Sequence, residues 1–203
     1  MAKRGTHEAA RVRSDVREKI LETATTLFYE LGVHAVGVDL VVEKSGVAKT
    51  SLYRHFGTKD DLVAAFLDRK DLDFWARWDQ AAERHQHDAG AELSAQLDWI
   101  GELAGRPGYR GCPQINVAAE FPDEDHPARK VAKAHKLELR QRLLRLAERL
   151  DVDAPQELAG DLAVLINGAF VSTSLFEPGE AVPLLHRAAN ALIAARSRGR
   201  HSA

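Results

Sequence analysis

From Lys49 to Phe56 the chain reads Lys-Thr-Ser-Leu-Tyr-Arg-His-Phe, and only Leu52 and Phe56 in this run are fully apolar. They stand four apart, the spacing that places two residues on one side of a helix. Six polar-tipped residues, Lys49, Thr50, Ser51, Tyr53, Arg54 and His55, are left for the other sides. A helix with so few apolar anchors cannot lie inside a core and must be pinned to a surface along one edge. Gly46-Val47-Ala48 separates it from the helix before, and Gly46 permits a turn that a β-carbon would strain. Two short helices joined in this way, the second polar and outward-facing, suit the delivery of side chains to a major groove of DNA.

The flanking sequence builds a support for that rod. Ile20, Leu21, Ala24, Leu27, Phe28 and Leu31 form one stripe at helical spacing, and Gly32 is placed to end the helix in a left-handed conformation. Ser14 is positioned to cap it, with Asp15 and Glu18 in the first turn, where the helix dipole favours acids. Residues 1–14, with Lys3, Arg4, Arg11 and Arg13, show no apolar periodicity and read as a disordered basic arm. Val38, Val41 and Val42 make the inward face of the second helix. Thr58 opens a fourth, and Asp61 three residues later gives a weak form of the capping box.

Beyond this point the pattern stays helical. The spacing predicts a fourth helix running through Phe74, Trp75 and Trp78 toward His87, and a fifth from about Leu93 to Gly105. A glycine-rich loop follows over residues 105–111, then a short helix from Pro113 to Phe121. Further helices are expected over Pro127 to Leu150, Pro155 to Phe176 and Ala181 to Ser197, with residues 198–203 a disordered tail. No segment alternates with a two-residue period, so the expected fold is all-α with about nine helices.

Charge and composition narrow the function classes. Residues 1–59 carry ten Lys/Arg against seven Asp/Glu, while the remainder carries eighteen against twenty-three. The N-terminal part is therefore the side suited to a nucleic acid. No apolar run approaches the roughly 20 residues that cross a bilayer, and no charged-then-apolar leader is present, so a cytoplasmic protein with no membrane partner is expected. A single cysteine, Cys112, fits a reducing compartment.

The residues Ala24, Leu27-Phe28, Gly32, Val38, Val41-Val42, Gly46-Val47-Ala48-Lys49, Leu52-Tyr53-Arg54-His55-Phe56 and Thr58-Lys59-Asp60-Asp61-Leu62, taken in this register, resemble the TetR family of bacterial transcription regulators. The resemblance covers about residues 15–67; the rest matches only as a helical domain of the expected length. Gly37 stands where the family often has a capping Thr or Ser, Leu40 replaces a common acid and Ser45 a common Ala. The family likeness implies a DNA-binding head over 15–60 and a ligand-binding and dimerisation domain over 61–197. It implies a homodimer on a double-stranded, near-palindromic operator, and a small-molecule effector that changes the spacing of the two heads and releases the DNA.

Carried onto this chain, the family's DNA-facing positions are Lys49, Thr50, Ser51, Tyr53, Arg54 and His55, with Lys59 at the start of the fourth helix. Thr50 and Ser51 are short enough for base edges to come close, and Lys49 reaches a guanine or a phosphate. Tyr53 and His55 suit phosphates, which orient the head without reading sequence. For the effector, Trp75, Trp78, Trp99 and Phe170 either line a pocket or pack a core. Asn116 and Glu120, four apart on a mostly apolar short helix, and Asn167 and Thr173 in another apolar segment, are candidate polar groups of that pocket. Cys112 follows a glycine loop at a helix start, a setting that lowers a thiol pKa; a packed, inert thiol is the alternative. The last two helices, rich in Leu with Gly168, Ala169, Ala188 and Ala189 between, suit dimerisation or burial within one chain.

Enzymatic readings fail on spacing. Gly46-Val-Ala-Lys49-Thr50 resembles the end of a phosphate loop, but Glu43 and Ala48 occupy the required glycine positions. His85 and His87 are two apart and point to different sides of a helix, so no metal site is expected. No catalytic residues and no cofactor are expected. Two alternatives stay open: a small-molecule sequestering protein whose head ignores DNA, and an activator of the same fold.

Overall fold

The computed structural model describes residues 2–197, with side chains from Ser14 onward. Among these residues are nine α-helices and no strand: α1 Ala2–Leu31, α2 Val38–Ser45, α3 Lys49–Phe56, α4 Lys59–Arg84, α5 Ala89–Ala104, α6 Pro113–Glu120, α7 Pro127–Ala147, α8 Pro155–Val171 and α9 Ala181–Ala194. The all-α reading of the sequence holds. Residues 198–203, expected to be a disordered tail, lie outside the described residues.

Several helix ends differ from expectation, those of α1 and α8 the most. Helix α1 starts at Ala2, where the sequence placed a disordered arm up to residue 14. Ala, Arg, Lys and Glu, which dominate that stretch, are all good helix formers. Helix α8 stops at Val171 rather than Phe176, at the run Ser172-Thr173-Ser174 of weak helix formers; a 3₁₀ turn over Thr173–Leu175 follows.

The chain divides into two compact units, and the division does not follow the sequence in one cut. The first comprises the residues up to Asp71 together with Pro113–Ala132; the second comprises Leu72–Cys112 and the residues from Lys133 on. The sequence reading put the boundary near residue 60 and left α6 with the C-terminal domain. Helix α6 joins the first unit because Val117 is buried in the same apolar cluster as Ile20, Phe28, Val41, Leu52 and Phe66.

Within the first unit, α1, α2 and α3 pack on one another. Phe28 of α1 meets Phe66 of α4 at 5.8 Å between ring centroids. On the surface, Arg69 of α4 donates to the Glu18 carboxylate of α1 at 2.7 Å, and this bond holds the Glu18 pKa below its ordinary value. Helix α4 begins with a complete capping box: the Thr58 N–H donates to Asp61 Oδ2 at 3.0 Å, and the Asp61 N–H donates to Thr58 Oγ1 at 3.1 Å. In the second unit, α5, α8 and α9 pack together. Asp88 caps α5 by accepting the Ala91 N–H at 2.9 Å.

Candidate functional site

The turn that presents α3 is built as the sequence suggests. Gly46 takes φ 64° and ψ 22°, and its N–H donates to Val42 O at 2.9 Å, closing α2. The chain re-enters a helix at Ala48, whose carbonyl accepts the N–H groups of Ser51 at 2.8 Å and Leu52 at 3.2 Å. Leu52 and Phe56 are buried and hold the helix to α1 and α2. Lys49, Thr50, Tyr53 and Arg54 are exposed, and Ser51 and His55 half-buried. Neither Gly37 nor Ala48 supplies a side-chain cap, so the first N–H groups of both short helices lack that acceptor. A helix N-terminus in this state suits a phosphate.

Two of the predicted contact residues are already engaged. Lys49 Nζ pairs with Asp39 Oδ1 of α2 at 2.6 Å, which raises the lysine pKa. Lys59 donates from Nζ to the carbonyl of Val33 at 2.7 Å. That bond is one half of a clamp on the connection between α1 and α2. The other half comes from α6, where the Glu120 carboxylate accepts the N–H of Val33 at 3.1 Å and of His34 at 2.8 Å. The His34 ring returns a bond from Nε2 to the Glu120 carbonyl at 2.9 Å and lies 5.0 Å from Phe121. Gly32, at φ 87°, lets the chain turn here with the Glu120 carboxylate alongside.

The clamp engages one of the residues named for the effector pocket. Glu120 sits in the first unit on the α1–α2 connection, and Asn116 is exposed on the same short helix. Both lie in the first unit, whereas Trp75, Trp78, Trp99 and Phe170 lie in the second. Replacing Glu120 by Ala removes an acceptor from two N–H groups, one of them part-buried, and is expected to cost about 1–3 kcal/mol of stability. Glu120→Gln, which keeps one carbonyl oxygen, should cost less. Denaturant unfolding measures both, and a Glu120→Ala protein as stable as the parent would show the clamp to be idle.

The aromatic candidates surround one ring. Phe74 lies 4.9 Å from Trp75, 6.3 Å from Trp78, 4.9 Å from Trp99 and 6.3 Å from Phe170 between ring centroids. Arg77 covers Trp99 and Arg142 covers Trp75 by cation–π contact. Cys112 is buried, and Asn167 is half-buried one turn before Phe170. Thr173 lies in the 3₁₀ turn that follows.

The likeness to known proteins spans these elements. Residues 20–66, from α1 into α4, match the family model described as bacterial regulatory proteins, tetR family. The crystal structure of SCO4454, a TetR-family transcriptional regulator from Streptomyces coelicolor, is 30% identical and superposes with a TM-score of 0.85, covering 91% of this chain and 97% of that one. The chain belongs to the TetR family. Curated relatives match over shorter spans. The transcriptional activator FasR of Mycolicibacterium smegmatis is 39% identical over 57 residues, 28% of this chain and 26% of its own length. The transcriptional repressor Rv3405c of Mycobacterium tuberculosis is 45% identical over 56 residues, 28% of this chain and 30% of its own. The match thus spans about a quarter to a third of the length of these two relatives.

This TetR-family chain also holds groups that the sequence reading passed over. His135 of α7 is buried against Phe74 and Trp75, at 5.0 and 4.9 Å between centroids. Its neighbour Lys136 donates to Asn167 Oδ1 at 2.5 Å and approaches Cys112 Sγ at 3.9 Å. The signal was present in the spacing. Lys136 falls on the stripe of Ala132, Leu139 and Leu143, all buried, where a lysine is out of place. Gln96 and Gln114, both buried, donate to the carbonyls of Trp78 at 2.9 Å and Leu67 at 3.0 Å.

Proposed function

We propose that this protein is a homodimeric, DNA-binding regulator of transcription that seats two copies of α3 in successive major grooves of a near-palindromic operator and is released by a small-molecule effector. The observation that carries the reading is the polar, outward face of α3 above its two buried anchors. A globular protein has little use for a helix so thinly attached unless its free face does something. Thr50 and Ser51 read base edges; Tyr53, Arg54, His55 and Lys59 hold phosphates; Lys49 does either.

Helices α8 and α9 supply the dimer interface. Val164, Val171 and Leu175 leave large apolar surfaces in solvent, the last 77% exposed. A groove of about 360 Å³ between the two helices is lined by Leu165, Ala169, Phe176 and Leu184. No atom lies within 4 Å of where a β-carbon on Gly168 would sit, which leaves room for a facing helix. The effector acts by binding the DNA-free form more tightly, with a coupling typically of roughly 1–3 kcal/mol. Repression or activation depends on where the operator lies relative to the promoter, and the named relatives include one of each.

A sequestering protein with a silent head is the competing reading, favoured by the internal engagement of Lys49 and Lys59. Fluorescence anisotropy separates the two, using the duplex upstream of the protein's own gene and a scrambled duplex of equal composition at physiological salt. A regulator should prefer the first by about 10³-fold or more, with two chains per duplex. Equal binding to both duplexes, or to neither, leaves the sequestering protein standing.

A further inference from the structure

We propose that Lys136 and Asn167 form the polar end of a site for a small organic acid with an apolar or aromatic body, whose carboxylate docks on the Lys136 ammonium. The inference rests on the reading of the second unit as the effector-binding part. It starts from the company that Lys136 keeps. Its ammonium has two polar neighbours, the Asn167 amide oxygen at 2.5 Å and the Cys112 thiol at 3.9 Å. Among the described residues no carboxylate stands within ion-pair distance of it. Three arginines of this unit do have acid partners: Arg142 pairs with Asp79 and Glu138, Arg149 with Glu92, and Arg196 with Asp161.

A partly buried ammonium without an acid raises the free energy of the fold, and burial pushes the Lys136 pKa down for this reason. The surroundings describe what would correct the imbalance. On α7, His135 sits next in the chain and touches Phe74 and Trp75. On α8, Phe170 is one turn beyond Asn167 and lies 6.3 Å from both Phe74 and Tyr109. One cationic group on a helix whose next residue packs on aromatic rings suits a molecule with one anionic end and an apolar remainder. The Asn167 amide nitrogen donates to Ala163 O at 2.7 Å, which fixes the amide with its oxygen toward the lysine and so holds the ammonium in place.

The test uses the full chain without DNA, titrated with benzoate, phenylacetate and octanoate, with benzamide as the neutral control. Calorimetry and the fluorescence of the three tryptophans follow binding. At least one acid should bind one per chain with a Kd below about 1 mM, and benzamide at least tenfold more weakly. Lys136→Met should lose tenfold or more in acid affinity while melting at a higher temperature than the parent, since it removes the unpaired charge. Asn167→Asp supplies the missing carboxylate from within, and should likewise melt higher and reject the acids. Cys112→Ser should keep them. If no acid binds the parent, or if Lys136→Met binds the acids as the parent does, the inference is overturned. Its fate is separable from that of the regulator reading: acids that bind through Lys136 yet leave an operator complex intact refute effector release alone, and operator binding without acid binding refutes the acid site alone.

Discussion

Replacing Tyr53 and Arg54 together by alanine should weaken operator binding by about 10²-fold or more, taking roughly 1.5–3 kcal/mol for each hydrogen bond to a charged phosphate. The loss should be nearly the same for the preferred and the scrambled duplex, because phosphate contacts position the head without reading bases. Arg54 also carries charge, and in a dimer it is removed from both half-sites. The slope of log affinity against log salt should therefore become shallower by about 1.8. Stability should scarcely change, since both side chains are exposed on α3. Thr50→Ala and Ser51→Ala make the contrast: their effect should vary with the base pair opposite them. Anisotropy titrations across a salt series read all of this. An unaltered affinity in the Tyr53/Arg54 variant would remove α3 as the DNA-contacting element.

Gly101→Ala is expected to be the most damaging small change in the second unit. A β-carbon on Gly101 would stand 2.7 Å from Val182 Cγ2, 2.8 Å from its Cα and 2.9 Å from its backbone N. The valine methyl can rotate away, but the main chain of α9 cannot. Helices α5 and α9, which pack directly on each other, would have to separate. Such overpacking costs about 3 kcal/mol, at the upper end of its usual range. The better helix propensity of alanine returns about 1 kcal/mol. The net loss should lower the melting temperature by roughly 4–8 °C for a chain of this size. Because α9 is also a proposed dimer helix, the variant should dissociate at higher protein concentration, which sedimentation can follow. A melting temperature at or above that of the parent would show that the α5–α9 approach tolerates a methyl group.

Much of the head was legible because its signals are local. The pair Leu52 and Phe56 fixed which side of α3 is inward, and Gly46 adopts the left-handed turn that its position required. What could not be read were contacts made between distant segments. Val33 and Val36 are fully buried, yet they lie in a short connection with no period to reveal an inward face. Leu31 falls on the apolar stripe of α1 but is 52% exposed, because the stripe is wider than the surface that covers it. Glu120 looked like a pocket acid on spacing alone. Its partners are backbone N–H groups 86 and 87 residues away, and backbone groups leave no trace in side-chain patterns. Lys136 was overlooked for a different reason: one lysine barely alters a helical apolar average, although its placement among leucines is the unusual fact.

The ion pair between Lys49 and Asp39 has a consequence for how the head meets a duplex. Lys49 does not wait as a bare cation; it already holds an oxyanion, supplied by its own neighbouring helix. Were Lys49 to meet a phosphate as proposed, the contact would be an exchange of one anion for another, with Asp39 turned away into solvent. Random stretches of polymer, which offer charge and nothing else, gain least from that exchange. In the proposed complex, a sequence that also rewards Thr50 and Ser51 would make it worthwhile, and a carboxylate that repels DNA would sharpen the choice among DNAs.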